Sequence, residues 1–356
     1  MASPKKPPAP RFAYVGCFST EKRKAKGKGV ALFRIDGKGK WTFVEVCDVI
    51  PNPSFIALHP SQRFLYSAHG DSDEVCSYAR DPQSGKLTFL NKQKTEGDNS
   101  STVEVHRDGR WLLLSTGPGV AIFPIKSDGS LGPHSDLVVP EGEIAPLRDE
   151  QEGPHPHQAI FDLTGKYVIV PDKGLDRIQV FRFDAERGKI TTCDIVEARY
   201  GAVPRHFAFH PSKPYAYLLA ENDSTVFAFH WNTGTGKLKP FQRVTTLPDD
   251  YVGNNMAAEI AILPSGKFLY ASNRGHESIA IYAVRANGTV KVIGWEPVQG
   301  KKPRFFCLSP DASKLYAANE DSHTIVEFRV NPKTGKLKAT GQIIQTGSPT
   351  CVVFAS

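Results

Sequence analysis

Three features are missing from this sequence of 356 residues: a long apolar run, a long helical pattern and a cysteine cluster. Because no run of about 18 apolar residues occurs, we expect no membrane-spanning helix and no membrane partner. The start of the chain is basic and rich in proline, without the apolar core that a secretory signal needs. The six cysteines are scattered without a CxxC motif, so we interpret them as free thiols in a reducing compartment. A cytoplasmic protein is therefore expected.

Positive charge is in modest excess, with a net charge of +7, and part of it lies in residues 5–6 and 22–28. The simpler interpretation is a solvated loop at 22–28 and a disordered, basic, proline-rich tail at 1–11. The alternative is attraction to an anionic ligand. No aromatic residue interleaves with the basic run, so a nucleic-acid partner is not expected.

What the sequence does contain is a repeat. A glycine turn, most often Gly-Lys-Leu, follows one short apolar run and precedes another, as in two antiparallel strands joined by a tight turn. The turn occurs seven times, at Gly39, Gly85, Gly129, Gly188, Gly236, Gly288 and Gly335. Val, Ile, Phe and Tyr dominate the apolar runs, which is the composition of strands.

A second recurring element is an apolar strand with a polar or basic head, such as Pro204-Arg205-His206 or Pro303-Arg304-Phe305. One unit then has four strands; in the unit after residue 204 they cover 207–210, 215–220, 225–230 and 238–244. Seven such units predict an all-β, seven-bladed β-propeller. The first and last units are incomplete in complementary ways, so we expect one blade to be closed by both termini. Residues 12–356 would form a single domain.

The third unit departs from the repeat. The corner after its second strand, Thr116-Gly117-Pro118-Gly119, is short and rich in glycine. Residues 133–152 then contain several acidic residues and prolines, and we interpret them as a long loop. We expect this loop to overhang one mouth of the central channel.

Strand geometry locates a candidate site. In each blade the head of the first strand and the tail of the second strand lie at the same face of the propeller, beside the channel. Polar residues at these positions should therefore form one ring at one mouth. The ring comprises Ser54, His69, Ser101, Thr116, His155, His157, Asp172, Arg205, His206, Glu221, Glu259, Asn273, Arg274, Arg304, Asn319 and Glu320. Arginines and histidines beside a few carboxylates suit an anionic small-molecule substrate.

A structural role is the alternative for each ring residue taken singly, because polar groups at blade ends also satisfy backbone amides. Arg205, Glu221 and Arg274 are less easily explained in that way, since neighbouring blades carry them and they can converge. His155, His157 and His206 could be metal ligands, but a His-x-His pair on one strand, next to arginine, is not a complete zinc ligand set. No metal is therefore expected.

Several motifs occur in a fixed order along the chain. They are Pro154-His155-Pro156-His157, Pro204-Arg205-His206, Glu221 with Ser224, Ala258-Glu259-Ile260, Asn273-Arg274-Gly275, and Asn319 with Asp321-Ser322. From about residue 12 onward the chain resembles the lactonase family of seven-bladed propellers, which includes 6-phosphogluconolactonases and fungal carboxy-cis,cis-muconate lactonising enzymes. The resemblance implies that His157 and Glu221 act as acid or base. It implies that Arg205 and Arg274 clamp an anion. Seven other ring residues are expected to bind substrate: His155, Asp172, His206, Glu259, Asn273, Arg304 and Asn319.

The resemblance implies a lactonase, in which water attacks the ester carbonyl of a sugar-acid lactone such as 6-phosphogluconolactone. One alternative is a muconate cycloisomerase, which would use the same proton donor and arginine pair in the reverse chemistry. The other is a non-catalytic propeller that scaffolds partners and has no need of convergent arginines. The blade-two corner at His69 departs from the family pattern, which leaves the substrate open. No cofactor is expected, and a monomer is the default.

Overall fold

The computed structural model describes residues 9–145 and 151–356, which form seven four-stranded antiparallel sheets. The first strands of neighbouring sheets contact one another, so the sheets are arranged as blades around a central channel. The predicted seven-bladed propeller is therefore confirmed. A single-turn 3-10 helix, Glu21–Arg23, interrupts the connection between the first two strands of the chain.

The strands are assigned to blades as follows. Blade one comprises β28 (Pro349–Ala355), β1 (Phe12–Cys17), β2 (Val30–Ile35) and β3 (Trp41–Cys47). Blade two comprises β4 (Pro53–Leu58), β5 (Phe64–His69), β6 (Glu74–Arg80) and β7 (Leu87–Lys94). Blade three comprises β8 (Asp98–Val105), β9 (Trp111–Gly117), β10 (Val120–Pro124) and β11 (Asp136–Val138). Blade four comprises β12 (Ile160–Phe161), β13 (Tyr167–Asp172), β14 (Arg177–Asp184) and β15 (Lys189–Glu197).

The remaining blades follow the same plan. Blade five comprises β16 (Pro204–Phe209), β17 (Tyr215–Ala220), β18 (Thr225–Asn232) and β19 (Lys237–Thr245). Blade six comprises β20 (Met256–Ile262), β21 (Phe268–Arg274), β22 (Ser278–Val284) and β23 (Val290–Pro297). Blade seven comprises β24 (Pro303–Leu308), β25 (Lys314–Asn319), β26 (Thr324–Val330) and β27 (Leu337–Gln345).

The repeated glycine turn links each blade to the one before it. The Tyr66 hydroxyl in blade two donates to the Gly129 carbonyl in blade three at 3.1 Å, and Tyr270 donates to Gly335 at 2.8 Å. Gly129 has a φ of +86°, and a Cβ there would lie 2.1 Å from Cδ1 of Phe64. Glycine is therefore required both for the left-handed backbone and for the aromatic ring packed against the turn.

The chain termini complete blade one, as predicted. β28 pairs along the whole of β1, from Phe12 opposite Ala355 to Cys17 opposite Pro349. Residues 1–8 of the predicted tail lie outside the described residues. Arg11, which was assigned to that tail, donates its N–H to the Ala355 carbonyl at 2.8 Å and so extends the blade by one residue.

Two predictions about blades three and four need correction. β11 lies inside residues 133–152, which were predicted to be a loop, and it pairs with β10 as the outer strand of blade three. The first strand of blade four is reduced to β12 and an isolated bridge between Pro156 and Asp172. The reason is that Pro154 and Pro156 have no N–H to donate to a ladder. Residues 146–150 lie outside the described residues, so the predicted overhang stays a prediction.

Candidate active site

A cavity of about 330 Å³ lies at the mouth where strand-one heads and strand-two tails meet, and all seven blades contribute to its lining. Pro204 pairs with Ala220 in blade five and Pro303 with Asn319 in blade seven, which is the predicted arrangement. The charged side chains of the lining are six cations and one carboxylate: Arg23, Lys173, Arg205, Arg274, Lys302, Arg304 and Glu221. The cavity therefore favours an anionic ligand.

A β-bulge at the head of the first strand places side chains in this cavity. In blade five, Pro204 pairs with Ala220 and His206 with Leu219, so Arg205 has no opposite residue on the neighbouring strand. The same irregularity leaves three further lining residues without an opposite residue: Ser54, Arg304 and Thr350. Bulges re-aim a side chain at the rim of a sheet, and here they re-aim one in several blades toward the channel.

Glu221, directly after β17, is the anionic centre of the site. Its Oε2 lies 2.7 Å from Lys173 Nζ and 3.6 Å from Arg205 Nε, and its Oε1 accepts a hydrogen bond from Arg274 Nη2. Arg274 Nη2 also donates to the Ala257 carbonyl at 3.1 Å, so backbone and carboxylate together fix this guanidinium. The side chains of these four charged residues are almost fully buried.

The protonation state of this cluster follows from burial and charge. Burial by itself would raise the pKa of Glu221, but Lys173, Arg274 and Arg205 together outweigh it and hold that pKa well below its usual value. Burial lowers the pKa of Arg205 to about 9, which leaves it charged at neutral pH. The cluster is therefore one carboxylate among three cations, with positive charge in surplus.

Three histidines form the wall beside Glu221. The ring centroids of His157 and His206 are 5.0 Å apart, and His155 stacks on His157 at 6.4 Å. Burial, helped by the charge of Arg205, holds the pKa of His157 well below its usual value, and burial lowers the pKa of His155 to about 4. Both rings are therefore neutral at neutral pH. His157 Nδ1 has no hydrogen-bond partner among the described residues.

Blades one and seven supply a second group of cations. The guanidinium carbon of Arg23 lies 4.6 Å from the centre of the Phe18 ring, and that of Arg304 lies 5.0 Å from it. Arg23 is held by two hydrogen bonds to Asp71, of 2.7 Å from Nε and 2.6 Å from Nη2. One aromatic ring thus positions two guanidiniums at the cavity wall through cation–π contacts.

Most of the residues predicted from the sequence reach this cavity. The lining includes His155, His157, Arg205, His206, Glu221, Arg274 and Arg304. All four residues expected to be catalytic are in that set, and their roles stay predictions. Four residues expected to bind substrate are not in the lining: Asp172, Glu259, Asn273 and Asn319.

Asp172 holds the backbone around the site instead. Its Oδ1 accepts hydrogen bonds from the N–H groups of His155 at 2.9 Å, Gly174 at 2.9 Å and Leu175 at 3.1 Å. Burial raises the pKa of Asp172 to about 6. These bonds join the segment before the first strand of blade four to the corner after its second strand. Asp172 therefore holds the backbone of His155 in place at the edge of the cavity.

The other three residues also bond to the protein itself. Glu259 Oε1 lies 2.9 Å from His206 Nδ1 and so orients that ring. Asn273 Nδ2 donates to the Thr246 carbonyl at 2.8 Å, and Asn319 Nδ2 donates to a backbone carbonyl at 3.2 Å. These three side chains therefore hold strand ends or a neighbouring ring in place, and their contact with substrate stays a prediction.

Eleven of the lining residues were not predicted from the sequence, and four of them carry charge or contact a charged group: Phe18, Arg23, Lys173 and Lys302. Lys173 follows the expected tail residue of blade four by one position, and Lys302 precedes the expected head of blade seven, so a wider window would have included both. Arg23 lies in the basic segment 22–28, for which a solvated loop was the simpler interpretation. Phe18 follows β1 at a position where the sequence gives no polar signal.

Within residues 9–145 and 151–356, no three His, Cys, Asp or Glu side chains are arranged to hold a metal ion. In the same ranges no helix has the length and apolarity to cross a membrane. All six cysteines are free, and burial raises the pKa of Cys17 to about 11, as for a packed thiol.

Comparison with known proteins agrees with this architecture. Residues 12–354 match the family described as "Lactonase, 7-bladed beta-propeller". The 6-phosphogluconolactonase of Bacillus subtilis is 30% identical over 349 residues, covering 96% of this chain and 98% of that protein. That of Formosa agariphila is 31% identical over 359 residues, covering 96% and 99%. The periplasmic gluconolactonase of Pseudomonas aeruginosa superposes with a TM-score of 0.86 at 27% identity, covering 97% and 99%. The chain therefore belongs to the lactonase family of seven-bladed β-propellers.

Proposed function

We propose that this protein is a lactonase that hydrolyses the ester of a sugar-acid lactone of the 6-phosphogluconolactone type. The observation that carries the proposal is the convergence of Arg205, Arg274 and a neutral His157 on one cavity beside the ionised Glu221. The family and the activities named for the relatives support the same reaction class. A cavity of about 330 Å³ suits one small ligand.

The arginines are suited to stabilise the oxyanion. When water attacks the lactone carbonyl, negative charge develops on the carbonyl oxygen. Arg205 donates to the Ala258 carbonyl and Arg274 to the Ala257 carbonyl, so both guanidiniums are held in place before substrate binds. Donors that need no reorganisation are the effective ones, and losing one typically reduces turnover about 10²–10³-fold.

His157 is the better candidate for the base that activates water. Glu221 is ionised, but the three surrounding cations stabilise its charged form, which makes it a weak proton acceptor. Burial and the charge of Arg205 also make His157 a weak base, but its imidazole is neutral, and its buried Nδ1 has no partner among the described residues. The oxyanion that forms nearby favours the protonated imidazole, so the basicity of His157 rises as the reaction proceeds.

The second half of the reaction returns the proton. The ester C–O bond breaks, and protonated His157 donates its proton to the leaving alkoxide, which becomes the sugar hydroxyl. Water thus supplies a hydroxyl to the carboxyl carbon and a proton to the leaving oxygen. The carboxylic acid product ionises and releases one proton, which can be followed at constant pH by titration.

The alternatives have less support. The relatives reported above are named as lactonases, and none of those is named as a cycloisomerase. A non-catalytic scaffold would have no use for two arginines held by backbone carbonyls around a buried carboxylate. Activity on a carboxylated muconate without activity on lactones would nevertheless reverse this choice.

The test is titration at constant pH with 6-phosphoglucono-δ-lactone and glucono-δ-lactone, after subtraction of the spontaneous rate. We expect wild-type protein to hydrolyse at least one of them. We expect His157→Gln to lower kcat by about 10²-fold or more, since a positioned acid–base group contributes about 10²–10⁴-fold. The imidazole of His157 lies in the cavity, whereas His230 is exposed on β18, the third strand of blade five.

His230→Gln is therefore the matched control and should keep wild-type kinetics. The proposal fails if wild-type protein does not exceed the spontaneous rate on either lactone. The assignment of His157 fails if His157→Gln and His230→Gln have equal kcat.

We also propose a cytoplasmic location, a monomer and an anionic small molecule as the binding partner. The location is supported by six free cysteines, and the ligand by the six cations of the cavity. A dimer in analytical ultracentrifugation would contradict the monomer.

A further inference from the structure

The cations on blades seven and one have no part in the mechanism proposed above. Arg304 lies in the cavity wall with its side chain 22% exposed, and its nearest carboxylate oxygen, Glu320 Oε2, is 3.9 Å from Nε. No hydrogen bond from its guanidinium to another described residue is present. A largely buried guanidinium has five N–H donors to satisfy, and those of Arg304 are available to a group that enters the cavity.

The neighbours of Arg304 add charge without blocking it. Arg23 shares the Phe18 ring with Arg304 and is locked by its two hydrogen bonds to Asp71. Lys302 lies just before the first strand of the same blade and lines the same cavity. Its Nζ is 2.9 Å from Glu320 Oε1 and 3.5 Å from Asp321 Oδ1, and its side chain is 37% exposed. Arg23 and Lys302 are each paired with carboxylates, so Arg304 is the cation of this wall whose guanidinium is open to a tetrahedral dianion.

Other parts of the mouth suit an anion less well. The three cations around Glu221 are in surplus over that carboxylate, but Arg205 and Arg274 among them are assigned to the lactone oxyanion. A second chamber of about 670 Å³ lies over blades three and four, but Asp71, Asp98 and Glu152 line it with only two lysines, Lys22 and Lys173. Its carboxylates would repel a phosphate, so the wall of blades seven and one is the favoured position.

We propose that Arg304, with Arg23 and Lys302, binds the phosphomonoester of a phosphorylated sugar lactone and makes the enzyme prefer it over the unphosphorylated lactone. The proposal rests on the proposed function. The lactone ester would lie at the Arg205–Arg274 side of the cavity and the phosphate at the Phe18 side. Charge-assisted, two-point contact with phosphate is the property that distinguishes arginine from other polar residues.

The experiment compares wild type with Arg304→Gln and Lys302→Gln on 6-phosphoglucono-δ-lactone and glucono-δ-lactone. We expect the ratio of the two kcat/KM values to fall about 10–100-fold in Arg304→Gln, as for loss of a charged hydrogen bond. Lys302→Gln is a second variant in case Arg304→Gln misfolds. Because the Lys302 side chain is partly exposed, we expect this variant to lower the ratio less. Arg63→Gln is the matched control, because Arg63 also lies over a phenylalanine ring, at 5.4 Å, but is exposed at the opposite mouth.

Binding of the open-chain products separates this proposal from the proposed function. Calorimetry with 6-phosphogluconate and gluconate should show that Arg304→Gln weakens the binding of 6-phosphogluconate more than the binding of gluconate. If wild type hydrolyses neither lactone but shows this pattern, the proposed function fails and the phosphate subsite stands. The subsite is wrong if Arg304→Gln lowers kcat/KM for both lactones, or the affinity for both products, by the same factor. It is also wrong if the variant changes none of these values. A wild type that prefers the unphosphorylated lactone also overturns it.

Discussion

Glu221 has to be understood together with the cations that surround it. If Glu221 acted only as an acid or base, replacing it by glutamine would reduce activity without affecting stability. The structure changes that expectation, because Lys173, Arg205 and Arg274 are all buried against the same carboxylate. Removing one partner of a buried charged group leaves uncompensated charge and typically costs about 3–5 kcal/mol.

We therefore expect Glu221→Gln to reduce lactone hydrolysis at least about tenfold and also to lower the free energy of unfolding, by about 3–5 kcal/mol before local relaxation. Urea unfolding followed by tryptophan fluorescence measures the second effect. The control is Glu186→Gln, since Glu186 is exposed in a turn of blade four. Equal stability of the two variants would show that the three cations do not depend on Glu221.

Strain at single residues also helps to build the mouth. Val203, just before the head of blade five, has a φ of +59°, which a β-branched residue rarely adopts. Its N–H donates to Asp176 Oδ1 at 2.8 Å, and its carbonyl accepts from the Glu221 N–H at 2.8 Å. These two bonds hold the unfavourable conformation and fix the backbone from which Glu221 projects.

At the scale of the element, β28 closes the propeller. It pairs with β1, and Cys351, Val352 and Ala355 are buried in the same core cluster as Phe12 and Tyr14. A propeller without this strand would expose an apolar edge in the middle of the ring.

We expect deletion of residues 349–356 to abolish cooperative unfolding, because the loss removes a whole strand from the core of blade one and does not merely shorten a tail. Circular dichroism during heating is the measurement. Addition of a synthetic peptide covering residues 347–356 should restore the transition, which provides the control. A truncated protein with the melting temperature of the full chain would contradict the role given to β28.

For the whole molecule, charge distribution is the property that matters for catalysis. The chain has a net charge of +7, and the cavity concentrates six cations around one carboxylate. Such a surplus raises the local concentration of an anionic substrate and speeds its association, and salt screens the effect.

We expect kcat/KM for a phosphorylated lactone to fall severalfold when ionic strength rises from about 0.02 to about 0.3 M, because the Debye length shortens accordingly. The unphosphorylated lactone, which is uncharged, is the internal control and should show a smaller change. Equal salt dependence of the two substrates would mean that steering by the cavity charge is negligible.

The fold could be predicted from the sequence because its signals are local and repeated. A glycine turn and a polar-headed strand recur in each blade, and strand periodicity is a property of neighbouring residues. Blade four was predicted less well, since Pro154 and Pro156 interrupt its first strand. The outer strand of blade three, β11, was missed because it lies after a long irregular connection.

The sequence by itself determined the number of blades, the closure by both termini and the ring from which Arg205, Glu221 and Arg274 converge. Only the tertiary structure decided which ring residues enter the cavity, since a one-residue bulge sends Arg205 and Arg304 toward the channel. The tertiary structure also packs Arg23 against the ring of Phe18 and places Asp172 outside the cavity lining. These outcomes depend on contacts between distant strands, and no local pattern in the chain encodes such contacts.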